Sequence, residues 1–263
     1  MPIEARNGRI AFLFSAGAEP LPGNGRELRD AFPVFADTLD DICGRLDPYL
    51  ELPLESVMFA DDGTRTAALL EREPFAGPAV FALQVAQYRL LRSWGVLPDM
   101  VFGQVAGRMA AAYAAGVFSL ADACHAVGTL ARLLGGAADP EPYSAHLDGV
   151  LDAYGRTLAT LHPCAPRLPL VSDVTARPVG AETAEPGFWV RRAPLRFAEA
   201  VGRLHRDGVR TWLELGPGDR LTRLLPECLP ECAPGGTASA FALSRDWAVL
   251  RSGPAAGPSP AQP

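Results

Sequence analysis

The sequence predicts an α/β protein, a mostly parallel sheet with helices on both faces. Strand-like and helix-like patterns alternate from end to end, no internal repeat interrupts them, and glycines or prolines stand at many of the boundaries. A chain of 263 residues, 48% hydrophobic and 21% charged, has the balance of a globular protein able to bury a sizeable core.

The first strand is Ile10–Phe14, a continuous apolar run, and the turn-rich Ser15–Asn24 follows it. Pro33 suits the first turn of a helix running toward Cys43, because its missing N–H would be unpaired there in any case. Between Pro78 and Trp94, Phe81, Val85, Tyr88 and Leu91 recur at helical spacing, so this helix buries one face and Gly95 ends it. Met100–Phe102 is a short strand, and beyond Gly103 the small residues of Ala106–Ala115 form a tightly packed helix that stops at Gly116. Ser119 and Asp122 resemble a capping box opening the next helix, which runs to Gly135 and Gly136. Leu147, Val150, Leu151, Tyr154, Leu158 and Leu161 fall on one helical stripe. Leu168–Val171 then gives a strand, Pro194–His205 a helix, Thr211–Leu215 a strand ending at Gly216-Pro217-Gly218, and Ala238–Leu243 a last strand. Residues 1–251 form the core domain on this reading. Residues 252–263 hold only Ser, Gly, Pro, Ala, Gln and cannot bury enough apolar surface to fold, so a disordered tail is expected.

Composition excludes several functions. A net charge of −6 opposes nucleic-acid binding, which needs a basic face. No apolar run approaches the ~20 residues that span a bilayer, so no membrane partner and a cytoplasmic location are expected. The five cysteines (Cys43, Cys124, Cys164, Cys228, Cys232) lack disulfide or zinc spacing, which predicts free thiols, no metal and no cofactor.

One stretch carries more. Gly103-Gln-Val-Ala-Gly107, between a strand and an alanine-rich helix, resembles the nucleophile elbow G-x-S-x-G. Its neighbours are similar, in order, to the malonyl-CoA:acyl carrier protein acyltransferases and polyketide synthase acyltransferase domains. They include Ala31-Phe-Pro-Val-Phe-Ala36, Ser93-Trp-Gly-Val96, Ala111-Ala-Tyr-Ala-Ala-Gly116, Leu170-Val-Ser-Asp-Val-Thr175, Phe188-Trp-Val190 and Leu213-Glu-Leu-Gly-Pro217. The resemblance covers roughly residues 9 to 246 and implies the α/β-hydrolase-like large subdomain of such an enzyme. It also implies ping-pong chemistry, in which an elbow serine takes an acyl group from a coenzyme A thioester and passes it to a carrier-protein thiol.

Carried across residue by residue, that chemistry is missing. The family's serine falls on Val105, which has no nucleophilic atom, and the histidine before it on Gln104. The general-base histidine falls on Tyr143, a phenol of pKa near 10 that is a poor base at neutral pH. The arginine that binds the substrate carboxylate falls on Leu130. Glutamines of the oxyanion loop and of the Pro-Ala helix start fall on Gly17 and Gly77. The family's small ferredoxin-like subdomain has only the short segment 135–143 in its place.

The resemblance therefore implies a degenerate acyltransferase of polyketide or fatty acid biosynthesis, in one of two roles. It is either a docking protein for acyl carrier protein, ketosynthase or other synthase components, or an enzyme whose opened cleft acts on a polyketide small molecule, for example in cyclisation. For the second role the candidate cleft residues are Gln104, Arg108, Tyr143 and His146. Arg108, where the family has an acidic residue, is expected to be a solvated surface side chain or an anion site. His146 is expected near a helix start, Cys124 is expected to be buried beside His125, His205 is expected on a surface helix, and His162 in a loop beside prolines.

Overall fold

The computed structural model describes residues 8–16, 22–136, 143–191, 194–233 and 236–251. Strands β1 (Arg9–Phe14), β2 (Met100–Gly103), β3 (Leu170–Ser172), β4 (Val209–Leu215) and β5 (Ser239–Ala242) form one sheet in the order β3-β2-β1-β4-β5. Every pairing is parallel, with Phe12 opposite Val101 on one side and Leu213 on the other. The helices that connect parallel strands must cross over the sheet, and both faces are covered as the alternating pattern predicts.

Alternation along β1 divides the interior. Phe12 and Phe14 enter the larger core, shared with α2 (Pro33–Leu46), α4 (Ala76–Ser93), α5 (Gly107–Ala114) and α6 (Leu120–Gly135). Ala11 and Leu13 enter the smaller one, against α9 (Phe197–Arg206) and α10 (Arg220–Cys228). All four side chains are fully buried, which is why β1 reads as an unbroken apolar run.

The local signals act as expected. Pro33 stands in the first turn of α2 behind an extended Phe32. Gly95 and Gly116 take positive φ after α4 and α5, each leaving its helix by the left-handed route that glycine permits. The Ser119 hydroxyl accepts the Asp122 N–H at 3.0 Å and donates to the Asp122 carboxylate at 2.8 Å, capping α6. On α7 (Tyr143–Leu158) the stripe of Val150, Tyr154 and Leu158 is buried.

Five helices escaped the sequence: α1 (Arg26–Ala31), α3 (Leu54–Met58), α8 (Pro186–Trp189), α10 and α11 (Leu243–Arg251). The expected last strand extended to Leu243, but that residue opens α11. There Trp247 meets Phe32 edge-on at 5.6 Å and Leu250 joins the core. α8 is a single turn. The expected connection at 135–143 and the tail at 252–263 fall mostly or wholly outside the described residues.

Polar groups inside α4 fasten the C-terminal ends of the central strands. The Gln84 amide donates to the carbonyls of Ser15 (2.8 Å) and Leu215 (3.1 Å). Gln87 donates to the Gly216 carbonyl at 3.1 Å and accepts the Gly216 N–H at 2.7 Å. Glu214, fully buried, accepts the N–H groups of Leu221 and Thr222 at the start of α10. Burial raises its pKa, while those same bonds lower it.

Replacing Gln87 by leucine strands both backbone groups of Gly216. The expected cost is about 2–4 kcal/mol, read as a lower urea midpoint with unchanged m-value.

Candidate active-site cleft

β2 ends at Gly103 and α5 begins at Gly107, and the chain reverses between them with Val105 at φ 48°. Valine holds this left-handed conformation at a cost on the order of 1–3 kcal/mol, so the turn must be imposed from outside. The two glycines impose it. A Cβ at Gly103 would lie 2.6 Å from the Gly107 carbonyl oxygen and 2.7 Å from the Ala111 Cβ. A Cβ at Gly107 would collide with the Phe14 carbonyl. The Gln104 N–H donates to that same carbonyl at 3.0 Å, and the Gly107 N–H to the Gln104 carbonyl at 2.9 Å. Held in this way, the turn carries Val105 54% exposed at its apex.

An ion pair braces the turn from the side. Asp173, only 3% exposed, follows β3 and accepts the Val105 N–H at 3.3 Å. Arg108 Nε donates to both of its carboxylate oxygens, at 2.8 and 2.9 Å, and Nη1 donates to the Arg191 carbonyl at 3.3 Å. This corrects the expectation for Arg108. It is neither a solvated surface residue nor a vacant anion site, because the Asp173 carboxylate matches its charge. Asp173 itself gave no sequence signal beyond a carboxylate just after a strand.

The apex opens onto a cleft of about 490 Å³ lined mainly by Pro78, Val105, Met109, Val127, Leu130, Leu134, Leu151, Tyr154 and Trp189. Gly77, Ala106, Ala131, Val190 and Leu195 complete its apolar wall, and Glu73, Arg108 and Arg191 contribute charge. Four positions singled out in the sequence, Val105, Leu130, Gly77 and Arg108, thus meet on one cavity. Gln104 does not. It is 8% exposed and lies outside the described lining, so its expected place as a cleft group is corrected. Tyr143 and His146 stand in the first turn of α7, but their side chains lie outside the described residues, as does Gly17.

Glu73 is a wall residue that the sequence gave no reason to select. Its carboxyl stands in close contact with where a side chain at residue 77 would begin, since a Cβ on Gly77 would be 3.2 Å from Oε1 and 3.6 Å from Oε2. Burial pushes its pKa up, partly offset by the Gly77 N–H bond it accepts, and Oε2 has no hydrogen-bond partner among the described residues. Burial alone raises the Tyr154 phenol.

The other candidates resolve simply. Cys124 is buried, with its thiol pushed up to about 12 chiefly by burial, and the neighbouring His125 Nδ1 lies 2.7 Å from the Tyr49 hydroxyl, so the two form no thiol and base pair. His162 is exposed, while His205 is half-buried with Nδ1 3.3 Å from Arg210, a correction to its expected surface position. Among the described residues no group of three or more His, Cys, Asp or Glu could hold a metal, and no helix is long and apolar enough to cross a membrane.

A parallel sheet whose strand turns through a left-handed residue, between two glycines that tolerate no side chain, into an alanine-rich helix has the geometry of a nucleophile elbow. This chain belongs to the acyl transferase domain family: the family profile matches residues 21–142. It is 33% identical to the spectinabilin polyketide synthase system protein NorB of Streptomyces orinoci, over 86% of this chain and 14% of that protein. The acyltransferase domain from the second module of the salinomycin polyketide synthase superposes with a TM-score of 0.78 at 28% identity, covering 95% of this chain and 75% of that one. The MCAT of Streptococcus pneumoniae shares the fold, with a TM-score of 0.74 at 21% identity over 92% of this chain and 99% of that one. The chain therefore spans only a small part of the polyketide synthase proteins it resembles.

Glu73 offers a pH test. A carboxyl whose pKa is higher in the folded than in the unfolded state binds more protons when folded, so its contribution to stability falls as pH rises from about 4.5 through the folded value. Glu73→Gln keeps an acceptor for Gly77 and removes the ionisation. Urea unfolding between pH 4.5 and 8 is expected to show the variant gaining stability relative to wild type as pH rises. A constant difference across that range excludes the effect.

Proposed function

We propose that this chain is an acyltransferase-like pseudoenzyme of polyketide biosynthesis, inactive in acyl transfer, which docks with acyl carrier protein or ketosynthase components. The observation that carries this reading is Val105. The elbow remains sharp and presents its apex residue to solvent, yet a hydrocarbon side chain there can neither attack a thioester nor hold an acyl group. Leu130 in the cleft wall supports the same reading, since leucine offers no ion pair to a substrate carboxylate. Family relatives such as NorB are named as polyketide synthase system proteins, which favours partners of that kind.

Loss of the small subdomain is part of this proposal. The alignment with NorB runs over 295 residues, more than the 263 of this whole chain, so the relative carries segments with no counterpart here. The interval between α6 and α7, residues 136–142, suits such a deletion. We read residues 1–251 as the degenerate core, α/β-hydrolase-like in kind, and 252–263 as its tail, and we assign the protein to the cytoplasm. A repurposed polyketide-modifying enzyme is the second reading. It is favoured by the cleft staying open rather than being filled by Val105 and Leu130.

Incubation with malonyl-CoA followed by intact mass spectrometry is expected to show no acyl adduct. Val105→Ser alone is expected to gain at most a trace, because a serine without a base lacks most of its rate, roughly 10⁴-fold. A stoichiometric adduct on the wild-type chain overturns the assignment. Calorimetric titration with carrier and ketosynthase domains of the same biosynthetic system is expected to give saturable binding to at least one. No binding to any of them eliminates the docking role.

A further inference from the structure

We propose that a second cavity, between the start of α1, the end of β4 and α11, binds a small primary alkylamine in its ammonium form. It shares no described lining residue with the cleft beside the elbow and does not depend on what that cleft retains.

Topology supplies the first argument. In the order β3-β2-β1-β4-β5 the chain steps one way from β1 through β2 to β3 and the other way from β4 to β5, so the direction reverses between β1 and β4. Open α/β sheets bind ligands in the crevice outside the C-terminal ends of the strands at such a point. The cavity lies there. Gly216 and Pro217 directly follow β4, and Gly23, Asn24 and Gly25 belong to the connection that follows β1. Its volume, about 230 Å³, is below the ~300–1,000 Å³ of drug-sized sites, which restricts the ligand to a small molecule.

The walls are fixed from several sides. Gly23 and Gly25 hold left-handed φ of 83° and 89°, and a Cβ at Gly25 would lie 2.9 Å from the Leu83 side chain. The Asn24 amide nitrogen donates to the Pro217 carbonyl at 3.2 Å, Gln87 clasps Gly216, and the Ser244 hydroxyl donates to the Gly218 carbonyl at 3.0 Å.

Those bonds also set the chemistry. Asn24 and Ser244 direct donors at backbone carbonyls, which leaves the Asn24 amide oxygen and the Ser244 Oγ as acceptors toward a ligand. Glu27 is the one ionisable residue in the described lining. The arginines around it are committed elsewhere: Arg26 donates to the Phe59 carbonyl, Arg29 pairs with Asp40 and Glu55, Arg245 pairs with Asp219 and Asp246, and Arg251 lies over the Phe32 ring. Trp247, half-buried and met edge-on by Phe32 at 5.6 Å, adds an indole, the ring that attracts cations most strongly. An alkylammonium group has three donors, no acceptor and one positive charge, which matches a carboxylate, two acceptor oxygens and an indole. An anion would face the Glu27 carboxylate, and a neutral alcohol would gain neither the ion pair nor the ring attraction. No covalent step is involved.

The test uses the full chain with n-butylammonium as probe and n-butanol and butyrate as controls of similar size. Binding is read from the indole N–H resonances of the four tryptophans in a proton–nitrogen correlation spectrum, the loss of one in Trp247→Phe identifying Trp247. A saturable shift of the Trp247 resonance is expected with n-butylammonium, and at least threefold weaker binding with either control. Glu27→Gln is expected to weaken binding about 2- to 5-fold, and Ser244→Phe, which fills the cavity, to abolish it. Both substitutions are at exposed residues. Should Ser244→Phe fail to fold by circular dichroism, Ser244→Leu replaces it as the blocking variant. No saturable shift at Trp247, a shift confined to Trp189 in the other cleft, an equal response to n-butanol, or undiminished binding by Glu27→Gln or by the blocked variant would each overturn the proposal.

Discussion

The approach of α5 to the Phe14 carbonyl at the end of β1 is the constraint on which the rest of the site depends. The first residue of that helix lies so close to the strand that a single Cβ at Gly107 would overlap backbone. Packing of this kind cannot relax by moving a side chain, because the contact is between two main chains. It fixes where α5 begins. Since β2 ends one strand away, it also fixes how sharply residues 104 to 106 must turn. Val105 takes a left-handed conformation for this reason, although no chemistry at that residue calls for it. Strain of that kind persists only where surrounding structure over-determines it. Here the determinants are two glycines, the Gln104 N–H on the Phe14 carbonyl and the Asp173 brace.

The same economy governs the polar interior. Parallel strands end together on one edge, and their last carbonyls and N–H groups need partners that the ladder no longer supplies. Gln84 and Gln87 reach them from α4, while Glu214 leaves β4 to hold the start of α10. Asp173 does the equivalent for the elbow. Each group sits near the C-terminal edge of the sheet, where ligands of open α/β folds bind. These bonds hold the strand ends in register with one another, so the cleft keeps its shape whether or not a reaction takes place in it.

Much of this was legible in the sequence because it depends on local pattern. A continuous apolar run gave β1, the glycine spacing at 103 and 107 gave the elbow, and Ser119 with Asp122 gave the start of α6. Short helices such as α1 and α3 were not legible, since one or two turns show too few periods to stand out. α10 was missed because its N-terminal partner is Glu214, six residues before its first residue and inside a strand. Arg108 was misjudged for a related reason: its partner Asp173 is 65 residues away, and sequence distance conceals such pairs. Glu73 was invisible for a subtler cause. Its importance arises from what residue 77 lacks, and a missing side chain has no pattern of its own. In Gln84 and Gln87 the signal was present, as two amides three residues apart within the otherwise apolar first part of α4, where buried polar groups need partners.

Catalytic function and cavity shape therefore degrade on different terms. A nucleophile, a base or a carboxylate anchor is one side chain, and exchanging it for another of similar volume costs little stability. Cavity shape is held by backbone contacts, buried amides and an ion pair, and removing any of these costs folding free energy. Substitution without selection for acyl transfer would remove the first set and spare the second. The pattern at Val105, Leu130 and Gly77, with the elbow intact around them, has that form. Gly77 carries the argument one step further. The Glu73 carboxyl stands against the position that a side chain at residue 77 would take. A buried carboxyl beside an apolar cavity is costlier to keep than an apolar side chain of the same size.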